Sequence, residues 1–334
     1  MSRFVRIIMW VLLWGALFVA IAYFLPKTLV VERSADIQAP VKTVYAQLID
    51  LHRWDNWSPW KRRGENSSVE YINHGVGAGG GYILRNESNE NSVASIEIIE
   101  ANAYNEVTVS LDFMERGEAL SSFLLAEKNE GTTVNWALTY DVGNNPFARW
   151  MGLLMKKSMA TDFDNGLVKL KALCQVIEKE NEPVILLDEV PEMYYAGIRE
   201  TVPFIEVSRE MSEMYSEISK FLAQKEIEMA GMPFSMYHLM DEENIDFECG
   251  IPIKENIEGN ATVKVATFPT STCACLDFYG DYSNLQEGHI AVQKWVEAHG
   301  FNLASAPMEI YLTDPQQEPD PAKWITRICY PVER

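Results

Sequence analysis

Between Leu29 and Trp60 the chain changes its hydrophobic period twice, and few folds accept the order in which it does so. Val31, Arg33, Ala35 and Ile37 alternate with Glu32, Ser34 and Asp36, the two-residue period of a strand. Pro40 follows, a residue suited to the first turn of a helix, where a missing N–H costs nothing. Val41, Val44, Tyr45 and Leu48 then recur at helical spacing. A loop carrying Trp54, Trp57 and Trp60 closes the segment. Taken alone, the three tryptophans read as a packed corner.

This strand, proline-started helix and tryptophan loop resemble the opening of START-like, polyketide-cyclase-like (SRPBCC) domains. The resemblance implies a helix-grip fold around an apolar cavity that holds a small hydrophobic molecule. The following residues agree with that order. Strand-like runs occur at Val93–Ile99, Glu106–Phe113, Leu120–Glu127 and Thr132–Tyr140, separated by short polar breaks, as in an antiparallel meander. Phe163, Leu167, Leu170, Cys174 and Ile177 form one apolar stripe of a closing helix. Gly75, Gly77 and Gly80 formally spell a G-x-G-x-x-G, but strand-like residues follow where a dinucleotide site needs a helix, so a glycine-rich hairpin is expected. His52 and His74 are isolated and read as surface or turn residues. The expected domain covers residues 28–178, and no catalytic set stands out in it.

Ahead of it, Ile7–Leu25 holds no charged residue, with Arg3 and Arg6 before it and Pro26 and Lys27 after it. A bilayer span needs about 20 apolar residues. The segment is therefore expected to be an uncleaved single-pass anchor (residues 1–27), with a cleaved signal peptide ending near Ala20–Ala22 as the competing reading. The flanking basic residues favour an N-terminus in the cytoplasm and the soluble domains outside, which in a bacterium is the periplasmic side of the inner membrane.

After the charged run Glu178–Pro183 the pattern repeats itself. Val190–Arg199, a helix with Met211, Met214, Ile218 and Phe221, then Phe234–Met240 and Ile245–Ile253 make one strand–helix–strand–strand unit. Phe268–Gly280, a helix with Ile290, Val292, Trp295 and Val296, then Met308–Thr313 and Trp324–Val332 make another. Tyr237 and Tyr311 hold equivalent positions, as do Ile251-Pro-Ile253 and Tyr330-Pro-Val332. The expectation is an α+β fold with a duplicated, pseudo-twofold domain over 183–334 and a cleft at the junction.

Asp277-Phe-Tyr-Gly-Asp-Tyr282, Pro307-Met-Glu-Ile-Tyr-Leu-Thr-Asp-Pro315 and Ile328-Cys-Tyr-Pro-Val332 are similar to the GyrI-like, effector-binding domain of bacterial drug-sensing regulators. That resemblance implies a cleft for aromatic or cationic molecules with a buried glutamate at its centre, here Glu309. The residues support it independently. Glu309 stands between Met308 and Ile310 in an otherwise apolar strand, and a carboxylate buried there needs a partner. Tyr237, Phe278, Tyr311 and Trp324 are candidate walls, able to add cation–π attraction, and Glu248 is a second acidic candidate. The alternatives are that Glu309 faces solvent or pairs with Arg327, and that Asp246 and Glu248 share a solvated face.

Charge narrows the partners. The formal net charge is −20; residues 181–334 hold 27 acidic and 10 basic side chains, net −17. Such a surface repels nucleic acid and attracts cations. Cys174, Cys249, Cys273, Cys275 and Cys329 make no metal pattern, and their odd number argues against a full disulfide framework, so they read as apolar core. No cofactor or metal is expected. The expected function is a membrane-anchored small-molecule binder, with a hydrophobic ligand in the first domain and an aromatic or cationic one at Glu309. A hydrolase of electrophilic compounds using Glu309 as general base and an acidic protein-docking module are the alternatives.

Overall fold

The computed structural model describes residues 3–60, 67–86, 92–114, 117–128, 131–180, 182–241 and 243–333. The chain divides into two compact units, Met1–Glu182 and Pro183–Arg334.

In the first unit, helix α1 (Arg3–Phe24) precedes strand β1 (Thr28–Ile37) and helix α2 (Val41–Ile49), and a short 3-10 turn (Leu51–Asn56) carries the chain into the tryptophan loop. A hairpin of β2 (Ser67–Ile72) and β3 (Gly81–Asn86) starts the meander. Strands β4 (Ser92–Asn102), β5 (Glu106–Asp112), β6 (Glu118–Lys128) and β7 (Gly131–Asp141) continue it, before the long helix α3 (Pro146–Glu180). The sheet runs β1-β7-β6-β5-β4-β3-β2, antiparallel throughout. The glycine segment between β2 and β3 turns with positive φ at Gly75, Gly77 and Gly79, conformations that cost glycine little. A strand follows it, so it is not a phosphate-binding turn.

Alternation along β5, β6 and β7 sends Val107, Val109, Phe123, Leu125, Val134, Trp136 and Leu138 to one buried face. Phe163, Leu167, Leu170, Cys174 and Ile177 of α3 are buried in this unit's core. Interlocked aromatic rings fill part of this core. Trp54, Trp57, Phe123, Trp136 and Phe163 are all fully buried; Phe163 stacks on Trp136 at 3.8 Å, Phe123 stands 5.0 Å from the same ring, and Trp57 and Trp60 meet it edge-on at 5.7 and 5.3 Å. The three fully buried indoles of this cluster each have an acceptor: Trp54 donates to the Leu48 carbonyl, Trp57 to that of Gln47, and Trp136 to Ser121 Oγ. Aromatic rings packed edge to face with their polar handles satisfied make a core.

The expected membrane anchor is overturned. Among the described residues no helix is long and apolar enough to cross a membrane, so the fold has no N-terminal transmembrane helix, and the inner-membrane, single-pass placement and the membrane partner through residues 7–25 go with it. The side chains of residues 3–8 and 11 in α1 lie outside the described set. The end of the apolar run is engaged by α3 instead. The buried guanidinium of Arg149 donates to the carbonyls of Ala22, Tyr23 and Leu25 at 3.0, 3.2 and 3.4 Å, satisfying acceptors that a helix C-terminus leaves open. Phe18 stacks on Trp150 at 5.2 Å, and Ala22 is fully buried.

The second unit holds one sheet built from two similar halves. The first half is β8 (Ile185–Val190), β9 (Met193–Pro203), helix α4 (Val207–Gln224), β10 (Phe234–Met240) and β11 (Asn244–Ile253). The second is β12 (Lys264–Phe268), β13 (Ser271–Tyr279), helix α5 (Leu285–Ala298), β15 (Met308–Tyr311) and β16 (Ile325–Glu333), with the two-residue β14 (Asn302–Leu303) beside β16. The order β12-β9-β11-β10-β15-β16-β13-β8 is a palindrome of the two halves. Each half lends its leading strand to the other: β8 pairs with β13, and β12 with β9. The halves meet where β10 pairs with β15, with Ser235 directly opposite Glu309. A disulfide joins Cys275 to Cys329 across β13 and β16, while Cys174, Cys249 and Cys273 are buried thiols. The expectation of five core thiols missed this pair, because only the strand register brings Cys329 opposite Cys275.

Candidate functional site

The central pair of strands sets the site by parity. Phe234, Met236 and Met308 pack with Tyr195 and Phe268 on one face. Ser235, Tyr237, Glu309 and Tyr311 therefore point to the other, and hydrogen bonds from helices α4 and α5 confirm it. Glu309 is 5% exposed. Its Oε2 accepts from Tyr237 and Tyr311, each at 2.8 Å. Its Oε1 meets His289 Nε2 of α5 at 2.8 Å. An ionised carboxylate offers about four lone-pair sites, so three donors leave about one unfilled.

A second tier supports this first one. Facing a carboxylate acceptor, Nε2 of His289 carries the proton, and its Nδ1 lies 3.1 Å from the Tyr330 hydroxyl. Tyr215 of α4 donates to the Phe234 carbonyl at 2.7 Å and sits 3.0 Å from Ser235 Oγ. Ser235 Oγ in turn lies 3.2 Å from the Tyr311 oxygen. Helix α5 approaches closely at Gly288, where a Cβ would come within 2.5 Å of Ile328 Cδ1 and 3.0 Å of Phe278. That approach lets the neighbouring His289 reach the sheet.

The phenols stay protonated donors. Burial pushes Tyr237 well above the usual phenol range, and the Glu309 charge beside it pushes the same way. Burial does the same to Tyr311, with Tyr237 and Glu309 adding to it, and to Tyr215. Burial and then Glu309 bring Tyr330 up to about 12.

Glu309, Tyr237 and Tyr311 line a cavity of about 930 Å³, together with Met211 and Tyr215 of α4, and Tyr282 and Asp314. The other candidate residues stand elsewhere. Trp324 backs Tyr282, with rings 4.7 Å apart, and its N–H goes to the Glu318 carbonyl. Phe278 packs under α5 at Gly288. Glu248 pairs in register with Met236, which places it on the opposite face from Glu309; it accepts from Tyr195 at 2.9 Å and meets His238 at 3.1 Å. Arg327 is held by Asp277 at 2.7 Å. His289, Tyr215 and Tyr330 are the residues that sequence reasoning missed. His289 had a signal: it falls with Leu285, Val292 and Val296 on the buried stripe of α5, where a polar side chain needs a partner.

Two family models match this chain, one after the other. Polyketide cyclase / dehydrase and lipid transport matches residues 28–175, and the GyrI-like small molecule binding domain matches residues 185–333. Both domains are thus of the small-molecule-binding kind. No curated protein matches the chain. Among solved structures it is similar to EcmrR in its DNA complex, at 22% identity over 56% of this chain and 72% of that one, TM-score 0.43. The EcmrR C-terminal domain aligns at 23% identity over 46% of this chain and 99% of that one, TM-score 0.39. A hydrolase from Listeria innocua aligns at 15% identity over 48% and 98%, TM-score 0.34.

Proposed function

We propose that the second domain reversibly binds a small organic cation, with Glu309 as its counter-charge. One observation carries this reading. Glu309 is a nearly buried carboxylate at the floor of a cavity, and among the described residues no Lys or Arg pairs with it. Burying a carboxylate is costly without a compensating charge or hydrogen bonds. Three donors meet part of that cost, and a ligand ammonium would meet the rest. Tyr237, Tyr311 and Tyr282 line the same cavity, and a cation seated over the face of one of these rings would gain about 0.5–2 kcal/mol. The acidic surface raises the local concentration of cations. The proposal is confined to the second domain, where Glu309 supplies the counter-charge.

The test is thermal unfolding of the full chain against cationic and neutral aromatic compounds, with Glu309→Gln alongside. A bound ligand raises the melting temperature according to its concentration over its Kd. Stabilisation by cations alone, lost in Glu309→Gln, is expected; equal stabilisation of both proteins would refute the role of Glu309. One feature favours a second reading, hydrolysis with Glu309 as general base. His289, backed by Tyr330, is hydrogen-bonded to the oxygen that keeps a free lone-pair site, an arrangement able to orient and relieve a base. Consumption of a bound electrophile faster than in buffer would establish it.

A further inference from the structure

The wall that α4 turns to the cavity is unlike the rest of that helix. Ser208, Ser212, Ser216 and Ser219 line it, recurring at steps of three and four residues along one face. The charged side chains of α4 lie off this line, and its Arg209 is already committed to Glu206, Glu210 and Glu213 at 2.7, 2.6 and 3.0 Å. From Ser208 to Ser219 the hydroxyl edge runs about 16 Å, at 1.5 Å per residue. The cavity therefore carries an exposed row of hydroxyls along α4, beside Val207, Met211 and Tyr215 of the same helix.

A second carboxylate stands at its rim. Asp314 lines the cavity and is exposed. It accepts the backbone N–H of Gln316 at 2.8 Å and the Gln317 side chain at 3.1 Å, and among the described residues it makes no ion pair. It lies five positions beyond Glu309, so at most about 18 Å of extended chain lies between the two. Tyr282 feels both carboxylates: burial raises its phenol, and Asp314 and then Glu309 raise it further.

Resting on the cation-binding reading above, we propose that the ligand of this cavity is an elongated dication of the linear diamine or polyamine class, one ammonium at Glu309 and the other at Asp314, with the serine edge of α4 along its length. Two carboxylates lining one cavity reward a ligand with two charges over one with a single charge. Hydroxyl oxygens accept from the N–H groups of protonated inner amines between them, and offer little to a flat polycyclic surface.

Calorimetric titration of the full chain with diaminoalkanes of increasing length, monoamines of equal length, spermidine and tetraphenylphosphonium tests this. The expected result is an affinity that peaks at one diamine length and exceeds the matching monoamine at least tenfold. Asp314→Asn should lower that diamine toward the monoamine level and weaken the monoamine at least tenfold less than the diamine; Asp314 is exposed, so this variant keeps the fold. Replacing Ser208, Ser212 and Ser216 together by Ala should weaken spermidine more than the diamine. Tetraphenylphosphonium binding that is lost in Glu309→Gln, with no length optimum among diamines and no effect of Asp314→Asn, overturns the dication and leaves the cation-binding reading standing. If no cation of either kind binds, both fall.

Discussion

Trp136→Ala asks whether the first domain is a packed core or a ligand chamber. Trp136 is fully buried and lies at the centre of the ring cluster, stacked on Phe163 at 3.8 Å and on Phe123 at 5.0 Å. Removing a buried tryptophan costs about 3–5 kcal/mol in lost transfer energy and residual cavity. The polar side of the change is small. Ser121 Oγ loses the indole donor, but its own hydrogen goes to the Ala137 carbonyl at 3.1 Å, so no buried donor is orphaned. A loss of about 4 kcal/mol is expected, a large share of the roughly 5–15 kcal/mol that holds a typical domain. Urea unfolding followed by circular dichroism and by fluorescence reads it, with the transitions of the two units fitted separately. Indole added to the variant should restore part of the loss by filling the void. A cost under about 1 kcal/mol would refute the packed core, because a tryptophan that already borders an open chamber leaves little new cavity behind.

Three further outcomes are expected. Raised phenol values at Tyr237, Tyr311, Tyr215 and Tyr330 mean that the unfolded chain ionises first; their contribution is complete below about pH 10 and is lost as pH rises through the folded values, which for Tyr330 is about 12. Stability of the second unit should therefore fall above pH 10, and more gently in Tyr330→Phe, as denaturation at stepped pH would reveal. Cys275→Ser opens a link between residues 54 apart, worth about 4 kcal/mol by loop entropy; calorimetry of this variant, and of the native chain with reductant, should show the second unit melting earlier and the first unmoved. Arg149→Ala removes the guanidinium from the carbonyls of Ala22, Tyr23 and Leu25, so limited proteolysis should cut near residues 22–27 well before the rest of the chain; an unchanged pattern would mean that the guanidinium does not hold α1.

Features set by local period could be read along the chain. Alternation in Val31–Ile37, the proline before Val41, the stripe of α3 and the repeated strand–helix–strand–strand units are short-range patterns, and a chain with those patterns has few ways to bury its apolar atoms. Glu309 and the equivalence of Tyr237 and Tyr311 were legible for the same reason, as a charge and two phenols at fixed steps along apolar strands. Tertiary structure alone decided which distant residues meet. The register of β10 on β15 sets Ser235 against Glu309, the close approach of α5 at Gly288 delivers His289, and β11 turns Glu248 to the opposite face. Cys329 finds Cys275, and Arg149 takes the end of the apolar run of α1, through contacts between residues far apart in the chain. Those pairings cost loop entropy and return energy only when the whole sheet or helix pair forms, so nothing in the neighbouring sequence encodes them.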